Sequence, residues 1–455
     1  MTSMGSACAL GIDIGTTKVA IAIVDAATRE VIATVSRSHE SDVRGLMPGR
    51  SEQVVSKIVA TLDACVKQLP LQHRQRVTCI GVTGQMHGVV LWNGETGEVS
   101  PLITWQDQRC LEEDFISMLR ATTGDDTAQS GYGTSTLAWF AAHEPKTLTR
   151  FSSACTIHDY IVAAIAGNSY PYTDPSDAAS FGFFDLAALR WREDCIEKAS
   201  IPRQLLPEVR QAGVCVGTVS RECIERWGIR EGVPVGNALG DNQASLYGSL
   251  TDPDNQVALT IGTGAQLSVV ASPSETELTS HHGAFEFRPY VGDRYIAVAA
   301  SLSGGRALVA LARALEGFIK DLGLNDAVTS ESIQNAMHRL GLEKISTDLR
   351  AHASLSGERH SPLLRGGFTN LSFDNFTIGD MTAALCRGLV TSLRDSLPTA
   401  LLSSRTEVVG SGNAIRRSPL VQQIIRESFA CGLKLQEGTE LTACGAALVA
   451  VDFLH

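Results

Sequence analysis

The sequence contains no apolar run of 18 residues, no Cys-x-x-Cys pair, no cluster of lysines and arginines and no low-complexity segment. The first absence leaves no candidate membrane-spanning helix. The chain passes from Met1-Thr2-Ser3 almost directly into a strand at Ala9, without a basic segment ahead of a separate apolar core. Neither secretion nor membrane insertion is therefore expected. The eleven cysteines are odd in number and scattered, which argues against a disulfide framework or a zinc site and fits a reducing, cytoplasmic setting. A formal net charge of −11 with no offsetting basic patch argues against nucleic-acid binding. Any bound phosphate is expected to be held by backbone amides and a metal ion. What the chain has is apolar material: 44% hydrophobic residues over 455 positions exceed what one core absorbs, so two domains are expected.

A pattern that occurs twice supports that division. Gly11-Ile12-Asp13-Ile14-Gly15-Thr16-Thr17 and Leu259-Thr260-Ile261-Gly262-Thr263-Gly264 each run from an apolar strand into a Gly-Thr tip, after which apolar alternation resumes. Each reads as a tight hairpin. Glycine lets such a tip turn and approach a ligand, so that successive N–H groups and threonine hydroxyls converge on phosphate oxygens. A single copy reads first as an ordinary hairpin; duplication at matching places in two halves favours two phosphate clamps. Asp13 is matched by Thr260, so only one copy offers a carboxylate, as suits one hydrated Mg²⁺.

Strand-like and helical runs alternate throughout, which predicts α/β architecture. Residues 31–35 and 77–82 read as strands and 51–69 as a helix. Near the end, strand 407–409 leads into a loop at Gly410-Ser411-Gly412-Asn413. A helix follows with Ser418 as cap and Pro419 at its first position, then strand 433–435 and a small-residue helix over 443–448. Gly248, Pro253 and two aspartates mark a domain boundary near 247–254.

Three polar clusters offer chemistry. Gly240-Asp241-Asn242-Gln243-Ala244 follows an apolar stretch. Its aspartate is either an Asx-turn or helix cap, or a base that accepts a proton from an attacking hydroxyl. Gly84-Gln85-Met86-His87-Gly88 and Trp105-Gln106-Asp107-Gln108-Arg109 each follow a strand, where ligands of α/β folds sit. Their mixture of polar edges and one indole suits a sugar. Alone, His87 also reads as a structural histidine and Arg109, near Glu112 and Glu113, as part of a solvated helix face. The pair His281-His282 lacks metal-ligand spacing.

Taken together, Asp13-Ile14-Gly15-Thr16-Thr17, Gly262-Thr263-Gly264, Gly410-Ser411-Gly412-Asn413 and Gly240-Asp241 resemble, over nearly the whole chain, the motifs of the FGGY family of carbohydrate kinases. Within that family residues 85–88, 104–110, 156–160, 239–245 and 357–360 look most like the members that act on the ketose sedoheptulose. One departure is Thr136-Leu137-Ala138-Trp139, where the family usually has a lysine before the tryptophan.

The resemblance implies a two-domain actin/hexokinase-like (ribonuclease H-like) ATPase fold with duplicated phosphate hairpins and an interdomain cleft. It implies a sugar domain over 1–248 that carries the first phosphate motif, and a nucleotide domain over 249–455. ATP and Mg²⁺ are the implied cofactors, with Asp241 as general base and Asp13 and Asp241 as metal carboxylates. Gln85, Met86, His87, Trp105, Asp107 and Arg109 are the implied sugar contacts, with Asp241. The nucleotide contacts are Gly15, Thr16, Thr17, Lys18, Gly262, Thr263, Gly264, Gly304, Gly410, Ser411, Gly412 and Asn413. Closure of the two lobes would exclude water from the reaction. The oligomer, monomer or homodimer, stays open, as does a related kinase of xylulose or ribulose. A chaperone-like ATPase is opposed by Thr260 and the sugar motifs, and a silent sugar-binding regulator by the presence of both Asp13 and Asp241.

Overall fold

The computed structural model describes residues 6–280, 283–324, 328–355, 357–358, 361 and 363–454. His281-His282 and Arg359-His360 lie outside the described residues. The chain divides into two units, one of Met1–Ser249, Pro289–Asp293 and Gly438–His455, the other of Leu250–Arg288 and Arg294–Glu437.

The first unit is built on a seven-stranded sheet of β1 (Cys8–Ile14), β2 (Lys18–Asp25), β3 (Val31–Ser38), β4 (Val77–Gly84), β5 (Cys215–Thr218), β6 (Pro234–Gly236) and β7 (Leu239–Gly240). β1, β2 and β3 form an antiparallel meander, and β4 joins β1 in parallel. β6 and β7 each pair with β4, also in parallel. Alternation places Leu10, Ile12 and Ile14 with Ile21 and Ile23 on one face. Helix α1 (Val55–Gln68) covers that face through Ile58, Leu62 and Cys65, and α2 (Ile157–Ala166) through Ile157, Ile161 and Ile165 at four-residue spacing. The α1 helix starts at Val55 and not at 51, because Glu52–Gln53 pairs as a strand with Leu102–Ile103. A second core in this unit gathers Phe115, Leu119, Leu137, Trp139, Phe181 and Trp191. The short helix α3 (Pro175–Phe181) contributes Phe181 to it.

The other face of the sheet carries Ala9, Ala22 and Val24, and the closing helix Leu441–Phe453 lies on it. Its small residues are what let it come so close. A Cβ on Gly11 would stand 1.8 Å from the Ala443 carbonyl oxygen. Helix α4 (Asp241–Ser249) meets the same closing helix, where a Cβ on Gly445 would stand 1.8 Å from the Ala244 carbonyl oxygen. The tail therefore belongs to the first unit, which corrects the grouping of all of 249–455 into one domain.

The second unit repeats the plan in a six-stranded sheet of β8 (Gln256–Ile261), β9 (Ala265–Ala271), β10 (Phe285–Pro289), β11 (Tyr295–Ser301), β12 (Glu407–Ser411) and β13 (Gly432–Leu435). β8, β9 and β11 form the antiparallel run, while β12 joins β8 and β13 joins β12 in parallel. The meander followed by two parallel strands thus occurs once in each unit. Helices α5 (Arg306–Asp321), α6 (Ser330–Glu343), α7 (Ile378–Ser396) and α8 (Pro419–Phe429) pack in this unit. Among the described residues no helix is long and apolar enough to cross a membrane.

Candidate active site

Both Gly-Thr tips are tight hairpin turns, of four residues in the first (15–18) and three in the second (262–264). In the first, Ile14 pairs with Val19 and Gly15 N–H donates to the Lys18 carbonyl at 3.0 Å. In the second, Ile261 pairs with Ala265 and Gly262 N–H donates to the Gly264 carbonyl at 2.9 Å. Asp13 and Thr260 hold the same place, one residue before the isoleucine that ends the strand.

Asp13 Oδ1 is buried and accepts no hydrogen bond from any described residue. Burial, then the Asp241 carboxylate, then Glu440 push the Asp13 carboxyl up to about 8, against the opposing charge of Lys18. An unpartnered carboxylate oxygen within the field of two further carboxylates is the oxygen-rich, negative setting that a hydrated divalent cation neutralises. The donor set fits Mg²⁺. Lys18 Nζ, expected at the nucleotide, donates to both carboxylate oxygens of Glu440 at 2.7 Å.

Asp241 opens α4 directly after β7, which is held beside β4 by the pairing of Gly240 with Gly84. The same β4 end delivers the first sugar cluster. Gln85 N–H donates to the Ile14 carbonyl at 2.9 Å, and its side chain reaches Gln53, which in turn donates to the Thr16 carbonyl. Met86 is buried against Gly240, where an added Cβ would stand 2.4 Å from its Cε. His87 adopts φ +74°, donates from Nδ1 to the Ser180 carbonyl at 2.7 Å and stacks on Tyr132 with centroids 4.7 Å apart. The exposed indole of Trp105 donates to Thr16 Oγ1 at 3.1 Å. Gln85, Met86, His87, Trp105 and Asp241 thus gather around the first hairpin, joined by Tyr132. The sequence reading passed over Tyr132, although the run Gln129-Ser130-Gly131-Tyr132-Gly133-Thr134-Ser135 around it is itself polar.

Asp107 and Arg109 behave otherwise. Both are buried, and they bond each other. Asp107 Oδ1 accepts from Arg109 N and Nε, while Oδ2 accepts from Ser51 N and Arg109 Nη2. Arg109 also reaches Glu52 at 2.8 Å and lies over the rings of Trp139 and Phe140. Their polar groups are spent inside the protein. The pair lies in the same loop as Trp105 and ties it to Ser51 and Glu52.

Behind the sugar cluster lies a buried group of His158, Asp159, Asp174 and Asp177. Burial lowers His158, so it is neutral near pH 7, and pushes Asp159 up to about 8. One ligand atom from each of His158, Asp159 and Asp177 falls within 4.8 Å of the others. Yet His158 Nε2 and Asp177 Oδ2 are bonded to each other at 2.7 Å, closer than the roughly 3 Å between neighbouring ligands held ~2.1 Å from one ion. His158 and Asp177 thus bond each other and do not share an ion, while the buried carboxylate oxygens of Asp159 accept no hydrogen bond from the described residues.

In the second unit a cavity of about 990 Å³ is lined by Gly262, Thr263 and Asn413 among the expected nucleotide residues. Gly264 and Gly304, each next in sequence to a lining residue, pack on each other, and an added Cβ on Gly304 would clash with Gly264. Gly410 and Ser411 lie in β12 and not in a loop, since their ladder to β8 extends to the pairing of Thr260 with Ser411, whose hydroxyls bond at 2.7 Å. Gly412 turns the chain at φ +90°. Four arginines, Arg306, Arg313, Arg339 and Arg417, also line the cavity. They bring positive charge to the cavity from outside the Gly-Thr tip's own sequence. Spread over three helices, they form no cluster in sequence.

Residues 8–248 match the model of the FGGY family of carbohydrate kinases, N-terminal domain. The chain is 33% identical over 467 residues to the sedoheptulokinase of Mus musculus and 33% identical over 470 residues to that of Homo sapiens; each alignment covers 97% of this chain and 96% of the relative. Among solved structures, the xylulose kinase of Rhodospirillum rubrum superposes with a TM-score of 0.81 at 24% identity, over 97% of this chain and 89% of that one. The duplicated sheets and this superposition identify the two-domain actin/hexokinase-like fold of the sugar kinases.

Proposed function

As the chain belongs to the FGGY family of carbohydrate kinases, we propose that it transfers the γ-phosphoryl group of ATP to the terminal C7 hydroxyl of sedoheptulose, giving sedoheptulose 7-phosphate and ADP. The observation that carries this reading is the likeness to two sedoheptulokinases along almost their whole length. A ketose is held on the first unit by Gln85, Met86, His87 and Trp105, with Tyr132 bracing His87. The adenosine occupies the arginine-lined cavity of the second unit, against Asn413, and the Gly-Thr tips hold the phosphates through their amides.

Asp241 acts as general base and takes the proton of the attacking hydroxyl. Its place at the first residue of α4, braced by β7 and the closing helix, fixes the carboxylate without any flexible loop. Asp13, with Asp241 beside it, would hold Mg²⁺, which supplies positive charge to the transferring phosphoryl oxygens. Phosphoryl transfer asks little covalent chemistry of the protein, so positioning and charge neutralisation carry the acceleration. We place the reaction in the cytoplasm.

The test is ADP release measured with a panel of five- to seven-carbon ketoses, in parent protein and Asp241→Asn. Sedoheptulose should give the highest kcat/KM, and the variant should lose about 10² to 10⁴-fold in turnover. A higher kcat/KM with xylulose would transfer the assignment to the activity named for the Rhodospirillum rubrum neighbour. Turnover within twofold of parent in Asp241→Asn would remove it as base.

A further inference from the structure

We propose that α3 is the positioning element of the reaction: through Ser176 and Ser180, one turn apart, it sets the base-bearing residue pair Gly240-Asp241 against the sugar-holding His87. The proposal rests on the reading of Asp241 as general base.

Ser176 and Ser180 are separated by four residues and so lie on one face of the helix. Both are buried. Ser176 Oγ accepts from Gly240 N–H at 3.0 Å and donates to Asp174 Oδ1 at 2.8 Å. Asp174 is itself the N-cap of α3, accepting from Asp177 N–H at 2.9 Å. The hydroxyl beneath the base is therefore held by the cap of its own helix. At the other end, Ser180 Oγ donates to the Asp177 carbonyl at 2.9 Å and accepts from His87 N–H at 3.3 Å, while the Ser180 carbonyl accepts from His87 Nδ1 at 2.7 Å. His87 is thereby fixed in both backbone and ring, in a left-handed conformation that is uncommon outside glycine. Between the two serines, Asp177 bonds His158 of α2 at 2.7 Å, which anchors α3 to the core of the sheet.

The Met86 thioether lies where a side chain on Gly240 would stand, 2.4 Å from an added Cβ, and His87 is stacked on Tyr132. Rotation or translation of α3 would displace base and sugar clamp together. A displacement of about 1 Å costs roughly 10²-fold in a reaction that depends on alignment. The bonds of Ser176 and Ser180 named here run to Gly240, His87, Asp174 and Asp177 and not to the threonines of either tip, so kcat and the ketose KM should respond before the ATP KM does.

Steady-state kinetics of Ser176→Ala, Asp241→Asn and the double variant test this, with sedoheptulose and ATP varied separately. Ser176→Ala should lower kcat at least tenfold with the ATP KM within twofold of parent, and Ser176→Thr, which keeps the hydroxyl, should restore most of it. The double variant should be no more than twofold slower than Asp241→Asn, because Ser176 acts through Asp241. Ser180→Ala should raise the ketose KM and leave the ATP KM unchanged. If Ser176→Ala does not fold, Ser176→Cys, of similar size but a weak acceptor, replaces it with the same expectation. A kcat within twofold of parent in a folded Ser176 variant, or fully additive losses in the double variant, overturns the positioning role. Parent-like turnover in Asp241→Asn instead overturns the base assignment, and this proposal with it.

Discussion

The indole of Trp105 donates its Nε1–H to Thr16 Oγ1 at 3.1 Å, so a residue of the sugar cluster is bonded to the tip of the phosphate hairpin. The two were read from the sequence as separate features, 89 positions apart. Their bond means that ordering of the tip and placement of the indole are one event. Trp105→Phe keeps an aromatic face and deletes the donor. A neutral hydrogen bond contributes about 0.5–1.5 kcal/mol, and 1.4 kcal/mol is tenfold in an equilibrium constant. The variant should therefore raise the KM of both ketose and ATP by up to about tenfold. A rise in the ketose KM alone would show that the indole serves the sugar without steadying the tip.

Asp107 and His87 came from similar polar clusters, and their surroundings differ: Asp107 bonds the buried Arg109 and Ser51, His87 the backbone of Ser180. His87→Ala should raise the ketose KM or lower kcat/KM while leaving ATP affinity and unfolding nearly unchanged. Asp107→Ala leaves Arg109 buried with one carboxylate partner fewer, and breaking a buried pair typically costs about 3–5 kcal/mol. Its signature is a lowered urea midpoint, with near-parent KM values in the fraction that remains folded. An unchanged midpoint together with a raised ketose KM would return Asp107 to the sugar.

These two residues also mark how far the sequence carried. The hairpins, Asp13 and the strand ends that bear Gln85, His87 and Asp241 were legible because each is a local signal: alternation, a Gly-Thr tip, a polar group following a strand. The pairing of Asp107 with Arg109 was not, because what buries them, the rings of Trp139 and Phe140, arrives thirty residues later. The cavity arginines drew no reading from the sequence, because α5, α6 and the short helix Asn413–Arg417 that bring them together lie far apart along the chain. The closing helix was assigned by sequence proximity to the wrong unit; its partners, β1 and β4, lie several hundred positions earlier.

That helix gives a stability prediction with an internal contrast. Gly445→Ala would place a methyl group 1.8 Å from the Ala244 carbonyl oxygen, on the helix that begins with Asp241. Overpacking of this kind costs about 1–3 kcal/mol, and here it should reduce kcat as well, by moving α4. Gly317, in the middle of α5, has nothing within 4 Å of an added Cβ. Gly317→Ala should be neutral or stabilising by about 0.4–1 kcal/mol, through the reduced freedom of the unfolded chain. Urea unfolding of the two variants checks both signs, and equal shifts would show that closeness to Ala244 is not what the glycine serves.

The fully buried Asp159 supplies a prediction for pH. Burial and then Asp177 hold its carboxyl up to about 8 in the fold, while in the unfolded chain it titrates near the ordinary value of about 3.9. Between those limits the folded protein keeps a proton that the unfolded chain has released. The slope of stability with pH follows protons bound in the unfolded state minus those bound in the native state, which is negative here. Stability should fall as pH rises from about 4 to about 8 and level off above that. Asp159→Asn has no proton to lose and should show a shallower fall; Asp13, also held at about 8, keeps the same sign in both proteins. Thermal unfolding of parent and variant at pH 5, 6, 7 and 8, without divalent cations, measures the two slopes. If they are equal, Asp159 is ionised in the folded protein, and the buried network with His158 and Asp177 carries its negative charge uncompensated.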